Sequence, residues 1–260
     1  MVAYMSRQRR YKERIDSAQV PKAGKPFWTL GVLGGMGPAT SCDFTKELIK
    51  DYESRNQLQQ PNVALVNIRE SPQHRNKLMR GEFSPEFFQI LCQGMDQLEA
   101  CMSDVIVIPC NSVHFYLERL RARTKTRVLS IMEECASYAA RKGYRKVGIL
   151  ATPITLKHGI YSDKLAAQKI ALVTPTRQER INAVLENIFV DKFTAEDRQV
   201  MQEAILEMKA AGAEAVILGC TDISHYLFPK DSALPLLDTF AIVRDAALEH
   251  LMKPLPNGTR

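Results

Sequence analysis

Several common signatures are missing from this 260-residue chain, and each absence excludes a class of function. No apolar run approaches the roughly 18–20 residues that span a bilayer, and the first residues lack the apolar core of a secretory signal. No membrane partner is therefore expected. Six cysteines, at 42, 92, 101, 110, 135 and 220, form no C-x-x-C pair and no dense framework. A cytoplasmic protein with free thiols fits better than a disulfide scaffold, and no metal site is expected. Glycines spaced as G-x-x-G-G-x-G over residues 31–37 match neither the dinucleotide G-x-G-x-x-G nor a phosphate loop ending in Gly-Lys-Ser/Thr. Basic charge is scarce outside one stretch. Of the net +6, five charges arise within residues 1–26, where Arg7, Arg9, Arg10, Lys12, Arg14, Lys22 and Lys25 face Glu13 and Asp16. Residues 1–26 read as a basic, flexible extension. The near-neutral remainder lacks a surface that would track phosphates, so no nucleic acid is expected.

What is present is ordinary in bulk, 45% hydrophobic and 25% charged, and unusual in one repeat. Asp104-Val-Ile-Val-Ile-Pro-Cys110-Asn111-Ser112 and Glu214-Ala-Val-Ile-Leu-Gly-Cys220-Thr221-Asp222 share one plan. An acidic residue precedes an apolar run too short for a helix, then a breaker, a cysteine and small polar residues. Runs of this kind are buried parallel strands, and ligands of open α/β sheets bind at the carboxyl edge of such strands. Other short strands are expected at 27–33, 63–68, 128–131, 146–150, 170–173 and 235–239. Helical periodicity or polar helix-like stretches run through about 41–54, 85–101, 114–123, 133–141, 161–168, 178–190, 194–211 and 240–252. The expected fold is α/β, with two pseudo-symmetric domains, each a parallel sheet flanked by helices, and a site in the cleft between them. Residues 27–120 would carry Cys110 and 121–239 would carry Cys220, with the last helix, 240–253, crossing back to the first domain.

Two thiols at matching strand ends imply a symmetric task. A helix start beyond each cysteine is expected to lower its pKa below the free value of about 8.5. The residues after each cysteine would offer N–H groups to a carboxylate. One thiol can then take a proton from a carbon while the other delivers one to the opposite face, which inverts a stereocentre. No cofactor is required. His114, one turn after Cys110, either orients the thiol or is a satisfied core histidine.

Gly34-Gly-Met36-Gly-Pro-Ala-Thr40, Pro109-Cys110-Asn111-Ser112-Val-His114 and Gly219-Cys220-Thr221-Asp222 resemble the three signature segments of the aspartate/glutamate racemase family, in its branch that works without pyridoxal phosphate. Further likeness lies at 151–161, at Thr174-Pro175 with Gln178-Glu179, and at Asp238-Thr239. The resemblance implies cofactor-independent racemisation of L- and D-aspartate, with glutamate or a broader range open, by Cys110 and Cys220. It places Met36, Arg75, Asn111, Ser112, Thr152, Lys157 and Thr221 around the amino acid. Arg75 and Lys157 would hold the side-chain carboxylate, and His114 and Asp222 would stand behind the thiols. A homodimer is also implied. Asp222 stands where the family usually has Glu, Ile154 where Gly is expected, and Ser71-Pro-Gln-His-Arg75 departs from the Pro-x-x-Arg loop. The alternatives are another cysteine-dependent isomerase or decarboxylase of the same fold (maleate, hydantoin or malonate type) or a non-catalytic amino acid sensor.

Overall fold

A strand apolar on both faces has to be covered on both. β1 (Thr29–Gly34) is buried at all six positions. In the computed structural model, which describes residues 27–56 and 59–254, it lies inside a parallel sheet of order β2-β1-β3-β4. The partners are β2 (Asn62–Asn67), β3 (Val105–Val107) and β4 (Arg127–Val128). A second parallel sheet repeats this order as β6-β5-β7-β8. Its strands are β5 (Lys146–Ala151), β6 (Ala171–Val173), β7 (Ala215–Gly219) and β8 (Leu236–Asp238). Both sheets belong to one compact body, Thr29–Lys253. The basic stretch 1–26 lies outside the described residues.

The acidic residue that opens each cysteine repeat has a structural purpose. Asp104 accepts a hydrogen bond from the Thr29 amide at 2.7 Å. Glu214 accepts from the amides of Arg145 and Lys146 at 2.5 and 3.0 Å. Each carboxylate thus fastens the cysteine strand to the start of its neighbour, β1 or β5.

The helices are set by their caps. α1 (Pro38–Arg55) starts on a proline after the Gly34-Gly35-Met36-Gly37 turn. α2 (Pro72–Met79) is capped by Ser71, and α3 (Pro85–Ala100) by Ser84. Cys92 packs on the buried face of α3, while Cys101 caps its C-terminal end and is exposed. A 3-10 turn (Ser112–Tyr116) follows Cys110 and leads into α4 (Leu117–Arg121). Beyond β4 come α5 (Ile131–Arg141), α6 (Pro153–Lys157), α7 (Ser162–Ala167), α8 (Gln178–Phe189) and α9 (Ala195–Ala210). A second 3-10 turn, Thr221–His225, follows Cys220. The last helix, α10 (Thr239–Leu251), lies against α1 through Phe240 on Phe44, ring centroids 5.5 Å apart, and through an Arg244–Glu47 ion pair.

Two expectations need adjustment. β4 pairs with β3, so the chain leaves the first sheet after residue 128 and not before 121; the matching four-strand order of the halves sets this seam, which the cysteine repeat alone does not mark. Residues 72–79 form a helix where only a loop was expected, because Ser71 and Pro72 start it without an apolar stripe.

Gly35 holds a backbone φ of 109°, and a Cβ there would lie 2.2 Å from the Ile68 carbonyl oxygen. Gly35→Ala should lower the unfolding free energy by about 1–3 kcal/mol from strain alone, and the overlap adds to it. Urea denaturation against the unsubstituted chain measures the change.

Candidate active site

In a sheet of order 2-1-3-4 the chain turns outward one way after β1 and the other way after β3. The crevice between their carboxyl ends is the natural ligand position. The second sheet makes the same crevice between β5 and β7. Both crevices open on one cavity of about 470 Å³. From the first half it receives the turn Met36–Thr40, Glu70, Arg75, Cys110, Asn111 and Ser112. From the second it receives Thr152, Phe189, Asp191, Cys220, Thr221 and Asp222. Cys110 is half-buried and Cys220 is buried.

The two thiols are held alike. Amides of Ser112 and Val113 donate to the Cys110 sulfur, and amides of Asp222 and Ile223 donate to that of Cys220. The residues that follow each cysteine tie the halves together. The Asn111 carboxamide accepts from the Tyr161 hydroxyl at 2.5 Å and donates to Thr239 Oγ1 at 3.0 Å. Thr221 Oγ1 donates to the Pro109 carbonyl at 3.1 Å. Ser112 Oγ meets Thr152 Oγ1 at 2.8 Å, and Thr40 donates to Asp222 Oδ1. Thr152 and Thr40 both stand at the start of the helix after the first strand of the opposite half.

A sequence model of the Asp/Glu/hydantoin racemase family matches residues 33–247. The chain belongs to this family. Membership makes it an isomerase of the amino-acid racemase class. The racemase is 24% identical over 217 residues to the broad specificity amino-acid racemase RacX of Bacillus subtilis (strain 168), covering 82% of this chain and 93% of that protein. Its fold is similar to that of Picrophilus torridus aspartate racemase, with a TM-score of 0.74, 24% identity, and 90% and 98% of the two chains covered. Glutamate racemase from Aquifex pyrophilus is similar at a TM-score of 0.59 and 20% identity, over 86% of this chain and 84% of that one.

The racemase departs from the expected charges of its site. Lys157 is not among the residues that line the cavity; its ammonium donates to the Gly81 carbonyl at 3.5 Å. Arg75 does line the cavity, but its guanidinium bonds Glu70 Oε2 at 3.3 and 3.4 Å. Glu70, a carboxylate that no sequence pattern singled out, is buried and its pKa is raised, chiefly by burial, against the pull of Arg75. Asp222 is raised by burial too, and its Oδ2 lies 4.0 Å from the Cys220 sulfur. His225, Tyr226, Phe189 and Asp191 also line it, supplied by α8, the turn after it and the turn after Cys220.

Burial also reverses the expected acidity of the thiols. It pushes Cys110 up to about 12 and Cys220 well above the ordinary range, and the nearby carboxylates add to the shift. Donated amides pull the other way and lose, because desolvation of a thiolate outweighs two N–H groups here. At pH 8 a thiol of pKa 12 is ionised in about one molecule in ten thousand. Iodoacetamide at pH 8 should therefore label exposed Cys42 and Cys101 well before Cys110 and Cys220; peptide mass spectrometry over time gives the order.

The His114 ring bonds backbone groups on both sides. Its Nε2 accepts from the Ile131 amide at 3.1 Å, which leaves Nδ1 protonated to donate to the Cys110 carbonyl at 2.8 Å. Both nitrogens are engaged, so no lone pair remains for a metal. Burial lowers its pKa to about 4. The unfolded chain then binds a proton near pH 6.5 that the folded chain refuses until about pH 4. Stability is full above pH 6.5 and falls as pH drops toward 4, by about 3 kcal/mol from this group. Denaturation curves between pH 4 and 7 should show that loss, and His114→Gln should flatten it while lowering stability throughout.

Proposed function

We propose that this enzyme racemises an amino acid without a cofactor, by proton transfer between Cys110 and Cys220 on opposite faces of the α carbon. The observation that carries this reading is the pair of thiols lining one cavity from equivalent strand ends, each receiving two backbone amides. One sulfur, as thiolate, takes the α proton and becomes a thiol. The C–H electron pair stays on the substrate and spreads into its carboxylate. The opposite thiol then gives its proton to the other face and becomes the thiolate. Atoms and charge balance, and the enzyme ends with its proton on the other sulfur.

A thiolate is disfavoured in the ligand-free cavity, and the substrate changes that. Its α-ammonium brings positive charge beside Asp222 and the sulfurs, which lowers their pKa values. Met36, Asn111, Ser112, Thr152 and Thr221 line the space around the thiols, and their turns offer groups to the α-carboxylate. Such chemistry needs reduced thiols, which supports a cytoplasmic setting.

Aspartate is the substrate the motif resemblance implies, and the Picrophilus neighbour carries that name. The RacX relative is named for broad specificity. For this enzyme the side-chain clamp expected from Arg75 and Lys157 loses Lys157 to Gly81, and Arg75 is shared with Glu70. The reading that holds best is therefore the two-thiol reaction on an amino acid.

Cys110→Ala and Cys220→Ala should each cut kcat/KM for racemisation by about 10²–10⁴ or more. Deuterium should enter the α carbon in heavy water with the unsubstituted enzyme. Near-normal rates in both single variants would refute the mechanism.

A further inference from the structure

The charges around the cavity point away from acidic substrates. Four carboxylates line it, Asp43, Glu70, Asp191 and Asp222, against one guanidinium, Arg75, and the imidazole of His225. Arg75 is already paired with Glu70. Among the described residues, neither Asp43 nor Asp191 forms an ion pair with a cation. Asp191 is exposed and Asp43 half-buried, whereas Asn111, Thr221 and Cys220 are buried. Asp191 therefore stands at the rim and Cys220 at the floor, with Asp43 and Cys110, both half-buried, between them.

An amino acid seated with its α carbon between the sulfurs would send its side chain toward that rim. Asp191 is held there by the Tyr226 hydroxyl, 3.1 Å from Oδ1, on a backbone with φ of 55°. Asp43 comes from the second turn of α1, and Phe189 adds an apolar side chain to the lining. A side-chain carboxylate would enter a region of surplus negative charge and find its arginine engaged. A side-chain cation would find two carboxylates that have no cationic partner among the described residues. The volume of about 470 Å³ is in the range that takes ligands larger than aspartate.

We infer that the side-chain end of this cavity selects amino acids with a cationic side chain, of the lysine, ornithine or arginine type, with Asp43 and Asp191 as the residues that determine specificity. The inference rests on the two-thiol reading and narrows its substrate.

The test is racemisation of L-lysine, L-ornithine, L-arginine, L-alanine, L-methionine, L-aspartate and L-glutamate by the full chain under reducing conditions, followed by chiral chromatography. Deuterium exchange at the α carbon is measured in parallel, with Cys110→Ala and Cys220→Ala as controls. The expected result is kcat/KM at least tenfold higher for the best cationic amino acid than for aspartate or glutamate. Asp43→Asn and Asp191→Asn should each lower the ratio of kcat/KM for the cationic substrate to that for alanine, by about tenfold when combined. Cysteine-dependent turnover of aspartate or glutamate at an equal or higher rate overturns the inference and leaves the two-thiol reading intact. A cationic preference untouched by both substitutions overturns the assignment to these carboxylates. Absence of exchange and racemisation across the whole panel, or turnover unaffected by the cysteine substitutions, overturns the two-thiol reading and this inference with it.

Discussion

The relative position of the two thiols depends on a buried clasp of hydrogen bonds between the halves. Asn111, the residue after Cys110, bonds Tyr161 and Thr239 from the other half. Thr239 Oγ1 in turn donates to the Leu218 carbonyl, on the strand that leads to Cys220. From the other side, Thr221, the residue after Cys220, reaches back to the carbonyl just before Cys110. These side chains are almost fully excluded from water. Leaving a buried donor or acceptor unmade costs about 1–3 kcal/mol, so a shift that separates the halves is penalised several times over. The site is preorganised by the same contacts that fix the fold.

Such rigidity comes with an electrostatic conflict. A floor dry enough to strengthen every hydrogen bond is also one that resists a charged sulfur, and burial dominates the acidity of both thiols. The paired amides at each sulfur soften this resistance without removing it. On the two-thiol reading a charged substrate completes the balance, its ammonium entering the same low-dielectric space where opposite charges interact most strongly. On that reading binding and activation of the base are one event, and the thiols stay protonated in the unliganded enzyme.

Much of this arrangement was legible in the sequence. Apolar runs such as Val105–Val107 and Ala215–Gly219, bounded by breakers, identify buried parallel strands, and the repeat places both cysteines at strand ends. The clasp was partly visible as Thr152, Tyr161 and Thr239 within recurring segments, but their partners were not, since pairing across 128 positions, as for Asn111 and Thr239, leaves no local pattern. Glu70 and the helix at 72–79 escaped because neither carries periodicity; one is a single acid in a loop and the other a short, capped, polar turn. Spacing likewise gives the turn to which Lys157 belongs, at the end of a five-residue helix, and not its bond to the Gly81 carbonyl. The thiol acidities failed on magnitude. A helix start shows in the sequence, whereas the desolvation that opposes it depends on the tertiary fold.

The two halves share a backbone plan but not a charge plan. Ser112 and Asp222 occupy the same place after their cysteines and both cross to a threonine of the opposite half, yet one is neutral and the other a carboxylate 4.0 Å from its own thiol. On the two-thiol reading this asymmetry cannot favour one enantiomer in the efficiency of the reaction. The enantiomers have equal free energy in solution, so the ratio of their kcat/KM values is fixed at unity by the equilibrium constant, whatever surrounds each sulfur. Asp222 can only redistribute free energy between bound states and transition states, raising kcat and KM together for one enantiomer relative to the other. A symmetric reaction thus tolerates an unsymmetric floor, so a carboxylate such as Asp222 can stand beside one thiol without spoiling racemisation.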